Sequence, residues 1–157
     1  MAIAIYPGTF DPITNGHLDI ATRASRIFEK LIIGVYGIPN KHLLFSTEER
    51  VELARQAVAG LPNVEVEAFA LLVVDFARKV GAKVMVRGLR MTSDFEREFE
   101  MAMMNKKLFP ELELVCLMSR LEYQFLSSSL LKEAARLGGK IGDLVPRHVA
   151  EALREKV

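Results

Sequence analysis

The amino-acid sequence predicts an α/β fold: a single-domain, doubly wound (Rossmann-like) parallel sheet of five strands with a helical C-terminal tail. Two observations predict it. Short apolar runs alternate with helical patterns along the chain, an order typical of parallel strands joined by right-handed crossovers. The chain of 157 residues also has no internal repeat, low-complexity tract or linker, so one domain over 1–157 is expected.

Each strand is predicted from its apolar pattern. Continuous apolar runs occupy 2–6, 31–36, 83–86 and 113–118, and the last of these is expected to be a buried strand. Apolar and polar residues alternate at 63–69, which suits a strand nearer to a sheet edge. Helical patterns fill the other stretches, at 17–29, 47–59, 72–80, 94–107, 128–137 and 147–156.

Two of the helices have recognisable start signals. Ser46 and Glu49 have the spacing of a capping box ahead of 47–59. Pro146 suits the first turn of the last helix, where its missing N–H would have no partner anyway. These signals support the helical assignment on either side of the predicted sheet.

The composition is that of an ordinary soluble globular protein, with 50% hydrophobic residues and a formal net charge of +1. With so little net charge, no bulk field recruits nucleic acid or an acidic membrane. No segment approaches the roughly 20 apolar residues needed to span a bilayer. The lone Cys116 suits a reducing compartment. We therefore expect a cytoplasmic protein that binds neither nucleic acid nor a membrane.

Polar residues follow four of the predicted strands, where ligands bind in open α/β sheets. They are Thr9, Asp11 and His17 after the first strand, Asn40, Lys41 and His42 after the second, Arg87 and Arg90 after the fourth, and Ser127, Ser128 and Ser129 after the fifth. The third strand is followed by an apolar lip, LLVVDFA. Cations and a helix start suit phosphates, and the lip suits an uncharged ligand arm. No carboxylate pair or Cys/His set with metal-ligand spacing is seen on this rim.

Each of these features also has a structural interpretation. His17 could be a helix cap, Lys41 a solvated loop lysine, the RGLR turn a surface turn, and the serines a cap. Gly16 allows a ligand to approach the backbone beside His17, which favours a functional role. For Asp11 the role is open, and a structural cap of its turn is favoured. The acidic residues at 94–98 suit the start of their helix without catalysis.

The motifs resemble those of a known family. T-N-G-H at 14–17 resembles the (H/T)-x-G-H signature of the nucleotidyltransferase superfamily, and L-S-S-S at 126–129 resembles its second motif. Together with YPGTFDPITNGH, RGLR followed by DFE, MNKKLFPELE and FLSSSLLKE, the chain resembles bacterial phosphopantetheine adenylyltransferases from Ala2 to about Leu153. The resemblance implies transfer of the adenylyl group of ATP to 4′-phosphopantetheine in coenzyme A synthesis, giving dephospho-coenzyme A and pyrophosphate by direct in-line attack without a covalent enzyme intermediate.

The resemblance also implies site residues. It gives a catalytic set of His17, Lys41, Arg90 and Ser128. ATP contacts are implied at Thr9, Phe10, His17, Gly88, Leu89, Arg90, Glu98, Tyr123, Gln124, Phe125, Leu126, Ser127, Ser128 and Ser129, and phosphopantetheine contacts at Thr9, Lys41, Leu72, Val73 and Arg87. Because the nucleophile is already an anionic phosphate oxygen, positioning and electrostatic stabilisation should supply most of the rate.

Further expectations come from the same resemblance. Mg²⁺ is expected to arrive with ATP, with no protein-held metal. A homohexamer and feedback inhibition by coenzyme A are implied as well. Arg97 departs from the family pattern, since many relatives have Tyr there, and a cation at this position could alter the substrate pocket.

Two other functions are compatible with parts of the sequence. One is an adenylyl- or cytidylyltransferase that acts on nicotinamide mononucleotide or glycerol 3-phosphate. The apolar lip and the RGLR stretch disfavour it, because those acceptors are polar and compact. The other is a nucleotide-binding regulatory module without turnover. The combination of His17, Lys41 and Arg90 disfavours that role, because a pure binder needs no cation aimed at the α-phosphate.

Overall fold

The computed structural model describes residues 2–39 and 42–157, and a five-stranded parallel sheet forms its centre. The strands are β1 (Ile3–Gly8), β2 (Lys30–Tyr36), β3 (Val64–Phe69), β4 (Val84–Leu89) and β5 (Glu113–Met118). Their spatial order is β3-β2-β1-β4-β5. The chain therefore builds outward from β1 to one edge, crosses back, and builds to the other edge, which confirms the predicted doubly wound fold.

Helices cover both faces of this sheet. They are α1 (Asn15–Ile27), α2 (Thr47–Ala57), α3 (Val73–Val80), α4 (Thr92–Leu108), α5 (Ser128–Arg136) and α6 (Arg147–Lys156). One apolar core joins the sheet to α1, α2, α5 and α6, and a second joins it to α3. The helical C-terminal tail is thus packed into the first core, where Leu131 and Leu153 are almost completely buried. None of the helices in residues 2–39 and 42–157 is both long and apolar enough to cross a membrane.

The predicted boundaries differ from the observed ones most at the motifs. β1 was expected to end at residue 6 and β4 at residue 86, but they continue to Gly8 and Leu89. Pro7 and Gly8 stay in register with Gly34 and Val35 of β2. The start of the YPGTFDPITNGH motif and most of RGLR are therefore part of the sheet. The expected buried strand at 113–118 is an edge strand, and Met118 at its end is 61% exposed. The alternating strand β3 is at the other edge, as predicted.

Helix starts agree with the sequence signals in one case and shift in another. Ser46 caps α2 by accepting a hydrogen bond from the Glu49 N–H (3.1 Å), and the Glu49 carboxylate accepts one from the Ser46 N–H (3.2 Å). This confirms the capping box. Pro146 is the cap residue of α6 and not its first helical residue.

Candidate active site

A cleft of about 350 Å³ opens at the carboxyl ends of β1 and β4. β1 pairs with β2 along its whole length, but with β4 only at Ala4↔Val84 and Ile5↔Met85. The cleft begins just beyond this last pair, at the point where the strand order reverses. Backbone groups in such a crevice are not used by sheet pairing, which is why ligands bind there in open α/β sheets.

Most of the predicted site residues border this cleft. They are Thr9, Phe10, His17, Arg87, Gly88, Arg90, Glu98, Tyr123, Leu126, Ser127, Ser128 and Ser129. Leu89, Gln124, Phe125, Leu72 and Val73 are not part of its lining, and Leu72 is 62% exposed. Lys41 and Asn40 lie outside the described residues. The roles assigned to all of these residues stay predictions.

His17 lies in the first turn of α1, which begins two residues earlier than predicted. The Thr14 N–H donates to Nδ1 of His17 (3.0 Å), and the His17 N–H donates to the Thr14 hydroxyl (3.3 Å). This capping box fixes the ring. Because Nδ1 accepts a hydrogen bond, the proton of the neutral ring is on Nε2. His17 is therefore both a helix cap and a positioned N–H donor in the cleft.

Burial and two neighbouring cations keep the His17 ring uncharged. Burial, followed by the charges of Arg87 and Arg90, lowers the pKa of His17 from 6.5 to about 4. A neutral imidazole still donates through Nε2–H, and it can do so without repelling the arginines. His17 is thus suited to hydrogen-bond a phosphate oxygen and not to act as a cation near neutral pH.

This pKa predicts a measurable pH dependence of stability. Between pH 6.5 and 4 the unfolded chain binds a proton at His17 that the folded protein does not. The contribution of His17 is therefore complete above pH 6.5 and is lost as the pH falls towards 4, by an amount on the order of 3 kcal/mol. We expect an NMR titration midpoint for the ring near pH 4. In His17→Gln, this part of the pH dependence of the free energy of unfolding should disappear. A midpoint at or above pH 6 would contradict the assignment.

The loop between β1 and α1 shapes the apolar side of the cleft. Phe10 has a φ of 51°, in the left-handed region that is costly for a bulky side chain. The residue is only 3% exposed, and its ring packs edge-on against His17, with 4.9 Å between the ring centroids. A Cβ at Gly8 would lie 3.0 Å from the Phe10 ring, so glycine there leaves room for this arrangement. Packing against His17 compensates for the backbone strain.

The two arginines of the RGLR turn are held by carboxylates of α4. Arg87 Nε donates to Glu98 (2.9 Å), and another nitrogen of its guanidinium donates to the Pro7 carbonyl (2.6 Å). Arg90 Nε donates to Asp94 (3.0 Å), and its Nη1 donates to the Leu126 carbonyl (2.7 Å). Each guanidinium is therefore tied both to α4 and to a backbone carbonyl of another segment, in β1 for Arg87 and just before α5 for Arg90. The fixed planar groups suit phosphate recognition.

The carboxylates of α4 require a correction of the sequence analysis. No carboxylate pair was expected on the rim, and most of the acidic residues of α4 were explained by its N-terminus, although the family resemblance implied an ATP contact at Glu98. Asp94 and Glu98 are one helical turn apart and both border the cleft. Glu98 is only 5% exposed. The spacing of the two residues shows that they share a face of α4. Which way this face points depends on the rotation of α4 about its axis, and the sequence does not give that rotation.

The serine motif lies at the start of α5, beside the first loop. Ser127 caps the helix by accepting a hydrogen bond from the Leu130 N–H (3.1 Å), so the structural role considered for the triplet is confirmed for this serine. The Ser128 hydroxyl donates to the Pro12 carbonyl (2.9 Å). Ser129 also borders the cleft. The first N–H groups of a helix have no partner within it, so this helix start suits an anion.

Comparisons with known proteins agree on the family. The model of the cytidylyltransferase-like family matches residues 5–134. A phosphopantetheine adenylyltransferase of Thermomicrobium roseum is 56% identical over 156 residues, covering 98% of this chain and 93% of its own. One from Roseiflexus sp. (strain RS-1) is 54% identical over 154 residues, covering 98% and 96%. The chain belongs to the phosphopantetheine adenylyltransferase family. The resemblance stated from the motifs is confirmed.

A solved structure supports the fold of this family member. A Vibrio parahaemolyticus protein, provisionally assigned as a nicotinate-nucleotide adenylyltransferase, superimposes with a TM-score of 0.73 at 17% sequence identity. The match covers 97% of each chain. At this identity the likeness shows the shared fold and nothing about the acceptor.

Three further residues of the cleft were missed or left open by the sequence analysis. Lys132 borders the cleft from the second turn of α5, and its Nζ lies 2.6 Å from Asp11 Oδ2. The Asp11 carboxylate also accepts hydrogen bonds from the N–H groups of Leu44 and Phe45 (both 2.9 Å). Asp11 therefore caps the turn that follows β2, and not its own turn. Arg97 borders the cleft, where a departure from the family pattern was expected to matter.

Hydrogen bonding determines the charge state of Asp11. Burial alone raises the pKa of this carboxyl, but the hydrogen bonds from Lys132, Leu44 and Phe45 outweigh burial and lower the pKa below its usual value. One signal in the sequence could have identified Lys132. It follows Ser128 by one helical turn, so the two residues share the face of α5 that meets the first loop.

The described lining has four basic side chains against three carboxylates. The basic ones are Arg87, Arg90, Arg97 and Lys132, and the acidic ones are Asp11, Asp94 and Glu98. With His17 neutral, this part of the cleft has a small positive excess. Hydrogen-bond donors in fixed positions, more than net charge, are what this site offers to phosphates.

Proposed function

We propose that this chain is an enzyme that transfers the adenylyl group of ATP to 4′-phosphopantetheine, giving dephospho-coenzyme A and pyrophosphate. Relatives more than 50% identical over nearly their whole length are named phosphopantetheine adenylyltransferases. The observation on the structure that supports the reaction most directly is the convergence of His17, Arg87 and Arg90 in one cleft at the reversal of strand order. A positioned neutral donor in the same cleft as two fixed guanidinium groups suits a reaction between two phosphates.

The reaction needs positioning more than acid–base chemistry. An oxygen of the acceptor phosphate attacks the α-phosphorus of ATP, the bond to the bridging oxygen breaks, and pyrophosphate leaves with that electron pair. His17 Nε2–H would donate to the α-phosphate, where negative charge increases in the transition state. Arg87 would hold the acceptor phosphate, and Arg90 with the serines of α5 would hold the departing pyrophosphate. Lys41, outside the described residues, would help to bring the two phosphates together.

A magnesium ion is part of the proposal as a companion of ATP. Each carboxylate of the described cleft already binds a basic side chain: Asp11 binds Lys132, Asp94 binds Arg90, and Glu98 binds Arg87. No group of three His, Cys, Asp or Glu residues within 2–39 and 42–157 is arranged to hold a metal. This donor set does not fit a protein-held cation, whereas the phosphates of ATP bind Mg²⁺ themselves.

Assembly, regulation and location extend the proposal. We propose a homohexamer inhibited by coenzyme A, as the family resemblance implies. Exposed apolar side chains on α4, among them Phe95, Phe99 and Met103, support burial against another subunit. The free Cys116 fits a reducing cytoplasm. Light scattering of the purified protein and inhibition assays with coenzyme A test the first two points.

The deciding experiment is pyrophosphate release from ATP, with magnesium, in the presence of 4′-phosphopantetheine or nicotinamide mononucleotide. We expect release with phosphopantetheine alone. Release with nicotinamide mononucleotide alone would favour the alternative acceptor class. No pyrophosphate release with either acceptor, together with measurable ATP binding, would favour a regulatory module without turnover.

Arg87→Ala is expected to raise the KM for phosphopantetheine about tenfold or more, because a charge-assisted contact to its phosphate is lost. The KM for ATP should change much less. Steady-state kinetics with each substrate varied in turn measure both. Arg26→Ala, at an exposed position near the far end of α1, is the matched control and should leave both values unchanged. An unchanged KM for phosphopantetheine in Arg87→Ala would remove Arg87 from the acceptor site.

A further inference from the structure

A buried ion pair connects the first loop to α5. Lys132 Nζ lies 2.6 Å from Asp11 Oδ2, and the side chains are 15% and 3% exposed. The two residues are 121 positions apart in sequence. Neither belongs to the site residues that the family motifs imply, although both border the cleft.

The same carboxylate anchors a third segment of the chain. Asp11 Oδ1 accepts the Phe45 N–H and Oδ2 accepts the Leu44 N–H, both at 2.9 Å. Leu44 and Phe45 follow Lys41 closely in sequence. Asp11 thus joins the β1–α1 loop, the segment after β2, and, through Lys132, the start of α5. Each of these three segments contains residues that the proposed reaction uses.

We propose that Asp11 and Lys132 act as a positioning pair for the proposed adenylyl transfer, fixing the segment after β2 and the serine end of α5 against the β1–α1 loop. The inference rests on the proposed function. Both side chains are already engaged: the Lys132 ammonium donates to Asp11, and both Asp11 oxygens accept hydrogen bonds. As a neutral unit, the pair contributes geometry and little net field. Buried ion pairs are best attested in such specifying roles.

The test compares single and double substitutions. Lys132→Met and Asp11→Asn should each lower kcat by about tenfold to a hundredfold, because small displacements of reacting groups are costly, while the KM values change less. The double variant, Asp11→Asn with Lys132→Met, leaves no unpaired charge. Its kcat should be within about threefold of the kcat of the less active single variant, or higher. Lys132→Arg should recover much of kcat. Lys30→Met, which breaks the surface pair with Glu65, is the matched control and should behave as the wild type.

A second readout does not depend on turnover. Amide hydrogen exchange at Leu44 and Phe45 should accelerate in Asp11→Asn and in Lys132→Met, and should stay unchanged in Lys30→Met. Faster exchange together with a loss of kcat supports the positioning role. Where a single variant fails to fold, the charge-free double variant supplies both measurements.

Three results would overturn the inference. The first is a raised KM for ATP in Lys132→Met with normal kinetics in Asp11→Asn, which would make Lys132 a phosphate ligand. The second is a lowered melting temperature with unchanged kcat, which would make the pair merely structural. The third is a loss of kcat in the double variant equal to the product of the losses in the two single variants, which would mean that the two residues act independently. A wild-type protein that releases no pyrophosphate would instead refute the proposed function, and amide exchange alone would then decide whether the pair anchors the segment.

Discussion

His17→Ala is expected to lower kcat by about 10²–10³, which corresponds to the loss of one donor that mainly stabilises the transition state. The structure gives this expectation a geometric basis. The first turn of α1 and the Thr14 N–H hold the ring, so its Nε2–H is positioned before substrate binds. Alanine removes the donor and leaves the arginines in place. ATP binding should therefore change only modestly, and the loss should be in turnover. Pre-steady-state kinetics and ATP titration calorimetry separate the two effects.

The neutral state of His17 predicts the behaviour of a second substitution. Glutamine also presents an uncharged N–H, so His17→Gln should retain more turnover than His17→Ala. His148→Ala is the control, since that ring lies in α6, contacts the Leu53 carbonyl of α2 and is not part of the cleft lining. Near-full turnover in His17→Ala would show that the donor does not contribute to the transition state.

Arg50→Met is expected to cost about 3 kcal/mol or more of the free energy of unfolding. Arg50 is 2% exposed, and its guanidinium donates to the carbonyls of Thr9 (2.8 Å), Tyr36 (2.9 Å) and Phe45 (3.3 Å). Among the described residues its partners are thus backbone carbonyls and one hydroxyl, that of Thr47. Methionine fills a similar volume but leaves several buried acceptors without donors, at about 1–3 kcal/mol each.

Urea unfolding followed by circular dichroism measures this loss. Arg50→Lys should be intermediate, because one ammonium cannot reach acceptors that a planar guanidinium serves together. Arg55→Met is the matched control on the same helix, at an exposed position, and should change stability by no more than about 0.5 kcal/mol. A stability of Arg50→Met equal to that of the wild type would mean that water replaces the guanidinium at these carbonyls.

Apolar periodicity was enough to locate the elements of the sheet. The runs at 2–6 and 31–36 lie in the two most buried strands, where nearly every side chain contacts the core, so their pattern is unmistakable. The position of functional residues after strands then followed from topology, because the carboxyl ends of parallel strands meet at one edge. This is why Thr9, His17, Arg87 and Ser128 converge in the cleft although they are distant in sequence.

Side-chain partners across the cleft could not be predicted in the same way. The pairing of Glu98 with Arg87, and of Lys132 with Asp11, depends on how α4 and α5 are rotated against the sheet. A helix rotation of one residue would move each of these groups away, yet it changes no local propensity. Arg50 was missed for a related reason. In sequence it is one charged residue in the run EER, and only tertiary packing singles it out as buried.

The reversal of strand order beside β1 has a consequence for biosynthesis of the chain. The N-terminal part supplies the β1–α1 loop, and the closing contacts come from the far end of the polypeptide: the Ser128 hydroxyl meets Pro12 across 116 positions. A nascent chain that has emerged only as far as β5 can pair its strands but has no α5 to complete the cleft. Adenylyl transfer should therefore begin only after α5 has been synthesised and docked, and fragments ending before residue 128 should be inactive even where they fold.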